Sequence, residues 1–255
     1  MLKLFRKIRR KLIDDKKIGN YLLYAMGEIV LVVIGILIAL AINNSNEDRI
    51  KREKEQVYLV GLKKDFETSK IKLEELIRVN RESYGAAKEI MFLMDKEQSP
   101  SEQILSELFI KAFAYDLFFI PNNSLLNEMI NSGSLKDIAN VELRVLLTNW
   151  IATVDDVSNQ EEFLSEQRNN VIEIFRIEGH SIRTIMDRTG MSSQLGLPLQ
   201  KNASSNLKVL ESIAFENDIL MFIITSEATE DAHYQPLMQD LNNILGLIAK
   251  EIKTK

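Results

Sequence analysis

The hydrophobic pattern of the chain begins with one long apolar run and continues as shorter amphipathic segments. Residues 21–42 form a run of 22 residues that is almost wholly apolar, with one acid, Glu28. As a helix that rises about 1.5 Å per residue, this run is long enough for the roughly 30 Å hydrocarbon layer of a bilayer. Its Leu, Ile and Val residues favour insertion by roughly 4 to 8 kcal/mol, whereas one acid costs about 3 kcal/mol. The run therefore predicts a transmembrane helix.

Two other interpretations of the run are weaker. A buried helix of a soluble protein is disfavoured, because residues 29–42 have no polar face. A cleaved signal peptide is the more serious alternative, since Ala39-Leu40-Ala41 resembles a small-residue cleavage site. The length of the span and the basic segment before it favour an uncleaved anchor.

After the anchor, apolar residues recur in steps of three and four, which predicts helices. The predicted helices cover about 59–94, 102–120, 125–130, 143–179, 206–230 and 232–253, with a turn at 98–101 and a loop at 189–205. Ser101 is predicted to begin the second of these helices, and Pro121 to end it. The pattern predicts an all-α protein in which one N-terminal transmembrane helix is followed by an extracytoplasmic antiparallel helical bundle with two long helices. The predicted domains are a cytoplasmic leader (1–20), the transmembrane helix (21–42) and a periplasmic helical domain (43–255).

Charge is unevenly distributed and predicts the orientation. Residues 1–20 hold eight basic and two acidic side chains, a balance of +6, and the remaining residues hold 24 basic and 35 acidic groups, a balance of −11. The positive-inside rule then keeps the leader in the cytoplasm and places the C-terminal domain outside, in the periplasm of a Gram-negative cell. So acidic a body also argues against nucleic acid as a partner. The leader cations to which we assign topology or contact with anionic lipid are Lys3, Arg6, Lys7, Arg9, Arg10 and Lys11.

Glu28 leads a strip of small residues along the predicted transmembrane helix. On a wheel of about 100° per residue, Gly35 and Ala39 fall within about 20° of Glu28, and Tyr21 shares that line. Small residues let helices approach closely, and a carboxyl group in hydrocarbon favours protonation or a hydrogen-bonding partner. We expect an interface with a second copy or another envelope protein; snorkelling of Glu28 to the headgroups and proton transfer remain alternatives.

Two segments resemble a known family. FRKIRRKLI followed by YLLYAMGEIVLVVIGILIALAINN resembles the N-terminal signature of a family of single-pass bacterial membrane proteins of unknown function, common in Bacteroidota-type bacteria. The segment from Leu126 to Arg144, with its Ser-Gly and Leu-Arg pairs, is similar to that family's mid-chain pattern. The resemblance implies a bitopic inner-membrane protein and no particular activity.

Candidate chemistry is sparse along the whole chain. The sequence contains no cysteine, which excludes disulfides and thiolate sites. It also lacks a Gly-rich phosphate loop, a nucleophile elbow and paired zinc-binding histidines. Glu230-x-x-His233 matches half of a di-iron carboxylate site, but His180, the other histidine, has Ile177 three residues before it. We therefore predict no catalytic residue, no metal and no cofactor.

Some polar residues interrupt the apolar stripes of the predicted helices. Ser69, Asn80, Glu161 and Arg168 could line a ligand pocket, or they could be stripe edges and buried pairs. The apolar cluster at 118–121 predicts core beneath a loop, whereas exposure there would indicate a partner surface.

Three classes of function fit these features. The favoured one is a non-enzymatic, membrane-anchored interaction or scaffold protein that assembles with itself or with other envelope proteins. The second is an extracytoplasmic sensor of a small ligand, which the short cytoplasmic leader disfavours. The third is a stator-like subunit of a proton-driven motor that uses Glu28.

Overall fold

A computed structural model of the chain describes residues 18–95, 98–177 and 179–252. Every regular element within these ranges is helical, so the predicted all-α class is confirmed for this part of the chain. The α-helices are α1 (Ile18–Met94), α2 (Glu102–Phe113), α3 (Ser124–Asn131), α4 (Val141–Ile174), α5 (Ile182–Arg188), α6 (Met191–Gln194), α7 (Ile213–Thr229) and α8 (Gln235–Glu251). Short 3₁₀ turns lie at Ser134–Asp137 and Leu207–Glu211, and a π-helical turn lies at Glu230–Tyr234.

Capping residues set where several of these helices begin. The side chains of Ser101, Asn140, Ser181 and Ser212 each accept a hydrogen bond from the backbone N–H three residues later. A Ser or Asn oxygen in this position satisfies one of the amides that the first turn of a helix leaves unpaired. The sequence predicts the cap at Ser101 correctly.

The chain divides into two compact units, residues 1–55 and residues 56–255. In the first unit, every side chain from Ile29 to Ile42 is exposed. This stretch belongs to a helix that is long and apolar enough, by length and composition, to cross a membrane, and none of its apolar window is buried.

In the second unit, the C-terminal helices run antiparallel to α1. Lys70 Nζ donates to Asn242 Oδ1 at 2.8 Å. Further along α1, Asn80 Nδ2 donates to the carbonyl oxygen of Ser226 at 3.0 Å. From the first contact to the second, the residue number rises along α1 and falls along the C-terminal helices. The helices therefore run in opposite directions.

The same test places α4 antiparallel to the C-terminal helices. Asn140 Nδ2 donates to Glu251 Oε1 at 2.7 Å, and Gln160 Nε2 donates to Thr229 Oγ1 at 2.9 Å. Because α1 and α4 both oppose α7 and α8, the two long helices run in the same direction. This differs from the simple antiparallel bundle that the sequence predicts, and it requires the intervening segment to carry the chain back from the end of α1 to the start of α4.

The second unit holds two apolar core clusters at different levels. Cluster 1 joins α1 up to Ile77, α4 up to Val157 and the C-terminal helices from Tyr234 onward. Cluster 2 joins α1 from Ala86, α4 from Leu164 and α7 up to Ile223. Trp150 is the largest buried side chain of cluster 1, and its ring lies 5.0 Å from that of Phe66.

The C-terminal segment differs from its prediction in one respect. Two separate helices were expected, with a break between residues 230 and 232, but a π turn joins α7 to α8 without a loop. Pro236 explains the turn, because it lacks the N–H that an α-helix would donate to the carbonyl of Ala232. Instead, the N–H of Gln235 donates to the carbonyl of Glu230, five residues earlier. The predicted loop at 189–205 also contains a helical turn, α6.

Candidate functional site

A layer of buried polar side chains separates the two core clusters. Its members lie in the stretches of α1, α4 and the C-terminal helices that neither cluster uses, and we call them the polar layer. They are Asn80, Ser83, Glu161, Thr225, Ser226, Thr229, Glu230 and Tyr234, of which Tyr234 also packs in cluster 1. Several of these side chains hydrogen-bond from one helix to another, which fixes the helices relative to one another, whereas Asn80 Oδ1 and Ser226 Oγ have no partner within the described residues.

Glu161 is the centre of this layer. Its side chain is 1% exposed. The backbone N–H of Phe119 donates to both of its carboxyl oxygens, at 2.9 and 3.1 Å. The hydroxyl of Tyr234 donates to Oε1 at 3.0 Å. One carboxyl group therefore joins α4, the π turn and the segment before α3.

The environment of Glu161 shifts its titration. Burial raises the pKa of the carboxyl to about 7, and the hydrogen bonds from Phe119 and Tyr234 offset only part of that effect. Burial, together with the negative charge of Glu161, raises the pKa of the Tyr234 hydroxyl as well, so this group stays a donor. Protonation of Glu161 near neutral pH would change the charge at the centre of the fold.

An ion pair closes one edge of the polar layer. Arg81 Nε and one terminal nitrogen donate to Glu230 Oε1 at 2.7 and 2.5 Å. Tyr84 and Gln235 add longer hydrogen bonds to the same carboxylate, at 3.5 and 3.3 Å. The Glu230 side chain is 6% exposed whereas that of Arg81 is 55% exposed, so Arg81 lies between the polar layer and solvent.

Side chains of the long helices hold the segment that returns the chain towards α4. This segment, residues 114–123, has no regular secondary structure, and we call it the crossover segment. The N–H of Asn122 donates to Ser69 Oγ at 2.8 Å, and Lys72 Nζ donates to the carbonyl of Ile120 at 3.0 Å. With the Glu161 contact, the backbone of an extended segment gains the partners that a helix or strand would otherwise supply.

Both ends of the crossover segment are anchored to α4. Arg168 Nε donates to the carbonyl of Phe113 at 2.8 Å, and its guanidinium contacts Asp116 at 3.1 Å. At the other end, Trp150 Nε1 donates to Asn123 Oδ1 at 2.9 Å. The path of the crossover segment is thus set by α4 at both ends and by α1 near residues 120–122.

The polar residues singled out in the sequence do not converge on one pocket. Ser69, Glu161 and Arg168 each hold the crossover segment, and Asn80 binds the backbone of α7. Of the two interpretations left open, the structure favours buried pairs. Sequence periodicity identified these residues as unusual, but their partners are distant in sequence and could not be read from it.

A cleft of about 610 Å³ lies between α1 and the start of the crossover segment. Leu76, Val79 and Leu117 are among its apolar lining residues. Its charged lining residues are three bases and three acids: Lys72, Arg78, Lys111, Glu75, Glu82 and Asp116. Arg78 is held between Glu75 and Glu82, with nitrogen-to-oxygen distances of 2.5 Å to each. The cleft therefore combines an apolar floor with a nearly neutral charged rim.

The apolar cluster at 118–121 is split between core and surface. Phe119 is buried at 6% exposure, whereas Phe118 and Ile120 are 43% and 71% exposed. The prediction of core beneath a loop is right for Phe119 and wrong for its two neighbours. Extended backbone explains the split, since successive side chains point in opposite directions.

Glu230 and His233, which match half of a di-iron motif in the sequence, have other partners in the structure. Glu230 binds Arg81, and His233 Nδ1 lies 3.3 Å from Asp156 Oδ2. Within the described ranges, no group of three or more His, Asp or Glu side chains could hold a metal ion. The ring of His180 lies 5.6 Å from that of Phe175, at the periphery of cluster 2.

The predicted intramembrane strip lies on the N-terminal part of α1. Glu28 is half-buried, Ala39 is exposed, and a Cβ added at Gly35 would meet no atom within 4 Å. Tyr21 is within the helix, but its side chain is outside the described residues, as are the leader residues Lys3, Arg6, Lys7, Arg9, Arg10 and Lys11. The roles assigned to the strip and to the leader remain predictions.

Replacing Glu161 with Gln should remove a pH dependence of stability. Between pH 4.5 and about 7 the folded protein keeps a proton on Glu161 that the unfolded chain has released, so stability falls as pH rises through this window. The free energy of unfolding should fall by about 3 kcal/mol across this window. We expect the melting temperature of the wild type, followed by circular dichroism of the full chain in mild detergent, to fall further than that of Glu161→Gln between pH 5 and pH 8.

The neighbouring Glu162 provides the control, because it lies on the same helix and is exposed. Glu162→Gln should retain the pH dependence of the wild type. An identical pH dependence for wild type and Glu161→Gln would show that the buried carboxyl is not the group that titrates.

Comparison with known proteins adds one finding. Residues 28–171 match a family of unknown function, DUF6090, whereas no curated protein and no solved structure matches the chain. The matched region runs from Glu28 along α1, through the crossover segment, to Val171 near the end of α4, and it includes Glu161. Because this region is more than half of the sequence, the chain belongs to the DUF6090 family of unknown function.

Proposed function

We propose that the protein is a non-enzymatic, membrane-anchored helical scaffold that assembles with itself or with other envelope proteins. The observation that carries this proposal is the fully exposed apolar stretch Ile29–Ile42. Fourteen consecutive side chains without a polar face are unfavourable in water, and a bilayer is the environment in which they are stable. The C-terminal helical domain is then a body attached to the membrane by a single helix.

The charge distribution supports one orientation of this anchor. The +6 balance of residues 1–20 favours a cytoplasmic N-terminus and a C-terminal domain on the outer face of a bacterial inner membrane. The acidic body suits an aqueous compartment, since net charge of one sign opposes non-specific association.

The strip of Glu28, Gly35 and Ala39 supports assembly within the membrane. Gly35 leaves open space where a side chain would lie, which allows the backbone of another helix to approach closely. A carboxyl group on the same line can hydrogen-bond across such a contact, and a dry contact of this kind is favourable in hydrocarbon. The same strip on a second copy, or an equivalent strip on another envelope protein, fits this description of the partner.

The 610 Å³ cleft supports a second candidate, a sensor of a small ligand. Its volume lies in the range of about 300 to 1,000 Å³ that is usual for small-molecule sites. Native mass spectrometry of the full chain, purified from its source membrane, should then show a retained small molecule that Leu76→Trp displaces. Spectra of wild type without any added mass would count against the sensor.

A topology reporter fused after Lys255 should be active only outside the cytoplasm. The leader cations resist transfer across the membrane, so they should hold the N-terminus inside. Substitution of Arg6, Lys7, Arg9, Arg10 and Lys11 by Gln should weaken this orientation, measured as the fraction of active reporter. Reporter activity in the cytoplasm with the wild-type leader would overturn the proposed orientation.

Substitutions at Glu28 and Gly35 should separate insertion from assembly. Glu28→Leu and Gly35→Leu should insert normally but give at least fivefold less complex on crosslinking in membranes, because one loses the hydrogen bond and the other blocks close approach. Glu28→Gln should retain most of the complex, because an amide can still hydrogen-bond. Equal crosslinking of the wild type and both Leu variants would mean that this strip makes no contact.

A further inference from the structure

Helix α7 is apolar on both of its faces. Phe215, Ile219 and Phe222 pack in cluster 2 and are at most 1% exposed. On the opposite side, Met221 is 45% exposed and Ile224 is 58% exposed. A helix at the surface of a soluble domain normally places polar residues on its outer side. An apolar outer side therefore indicates that something covers it.

Two aromatic residues of the neighbouring helices extend this surface. Lys88 of α1 forms an ion pair with Glu227, and Phe92 lies one turn beyond Lys88 on the same side of α1. Because α1 and α7 are antiparallel, Phe92 lies further than Glu227 towards the N-terminal end of α7. Its exposed fraction is 67%.

On the other side of α7, an aromatic residue of α4 extends the apolar surface. Gln160 donates to Thr229, and Phe163 lies three residues beyond Gln160 on the same side of α4. The antiparallel register places Phe163 at the level of residues 225–226, and its exposed fraction is 45%. The surface that results, which we call the α7 face, consists of Phe92, Phe163, Leu220, Met221 and Ile224.

The size of the α7 face fits the apolar part of a stable protein interface. With roughly 200 Å² for each fully exposed large side chain, the five residues expose about 500 Å². A standard interface covers about 800 Å² on each partner, somewhat more than half of it apolar. The α7 face is thus as large as the apolar centre of one side of such an interface.

The exposed positions of α7 form a pattern that is nearly the same when read in the opposite direction. Its exposed positions are 213, 214, 217, 220, 221, 224 and 228. About the midpoint between Leu220 and Met221, position 213 mirrors 228, position 217 mirrors 224, and 220 mirrors 221. Two copies of α7 packed antiparallel would therefore bring six of its seven exposed positions against exposed positions, as a twofold interface requires, whereas Ala214 would face the half-buried Glu227.

The distribution of charge makes this surface the one where contact between two copies is least opposed. Residues 21–255 carry a balance of −11, so two copies repel each other over most of their surfaces. None of the five residues of the α7 face is charged. Contact between copies is least opposed here, and the small residue Ala228 pairs with the larger Ile213 across the axis.

We propose that the α7 face is a twofold interface with a second copy of this chain, in which the two α7 helices pack antiparallel and Leu220 and Met221 lie nearest the axis. The interface is separate from the Glu28 strip and does not depend on it. The α7 face joins the C-terminal helical domains of two copies, whereas the Glu28 strip would join the apolar stretch of α1 to another transmembrane helix.

The natural absence of cysteine allows a direct test. Met221→Cys, introduced into the full chain in membranes, should give a disulfide-linked dimer under mild oxidation, because the two copies of residue 221 lie close to the axis. Ile71→Cys is the matched control, since Ile71 is also apolar and 67% exposed but lies outside the α7 face. We expect at least tenfold more dimer from Met221→Cys than from the control.

A second substitution tests the apolar contact itself. Ile224→Asp places a charge in each copy at an exposed position, so the fold should be retained, as an unchanged circular-dichroism spectrum would show. In the Met221→Cys background it should reduce the covalent dimer at least fivefold, whereas Ile71→Asp should not. Gly35→Leu in the same background should leave the dimer intact, which distinguishes this interface from the intramembrane strip.

Three results would overturn the proposal. The first is equal crosslinking of Met221→Cys and Ile71→Cys. The second is a crosslink from residue 221 to a different protein in place of the dimer. The third is an unchanged yield of dimer with Ile224→Asp.

Discussion

The buried carboxyl of Glu161 is the interaction on which the arrangement of the helical body depends. Its oxygens receive the amide of Phe119 and the hydroxyl of Tyr234, which come from elements far apart in sequence. Taking a carboxyl group out of water is costly, and removing either donor would leave that cost uncompensated. The burial of Glu161 is therefore compensated only when the crossover segment and the π turn are both in place. This requirement couples the positions of α4, the crossover segment and the π turn.

This coupling stabilises the connection between the two long helices. Since α1 and α4 run in the same direction, the chain must return along the part of α1 that belongs to the second unit before α4 can begin, and part of that return has no regular structure. Ser69 and Lys72 of α1 and Arg168 of α4 supply the hydrogen bonds that this extended backbone lacks. The polar layer then divides the core into two apolar clusters, and a slip of one helix along another would leave its buried groups without partners. We regard the layer as the feature that sets the register of the bundle.

The sequence predicts local structure well and long-range contacts poorly, for a physical reason. Helical spacing of apolar residues depends only on neighbours in the chain, so the C-terminal end of α1 and the cap at Ser101 could be predicted. The helix expected to run to Pro121 ends at Phe113 instead, and the helix expected to end near Gly179 ends at Ile174. The partners of Glu161 are 42 and 73 residues away, and no periodicity encodes them. For the same reason, the direction of α4 could not be predicted from the sequence. Nor could the partner of Glu230, which matches part of a metal-binding motif but binds Arg81. The π turn at Pro236 shows that a helix-breaking residue can be accommodated by a local change in hydrogen bonding as well as by a loop.

Two apolar surfaces link this fold to the proposed scaffold, one along the N-terminal part of α1 and one on α7. The α7 face depends on a body whose helices are held in a fixed register. The most direct test of that register is an NMR titration of the full chain with the carboxyl carbon of Glu161 as the probe and the amide of Phe119 as its reporter. The account predicts a midpoint near pH 7 for the carboxyl, with the Phe119 amide shifting at the same pH. A midpoint near 4.5, or a Phe119 amide that does not respond, would contradict it.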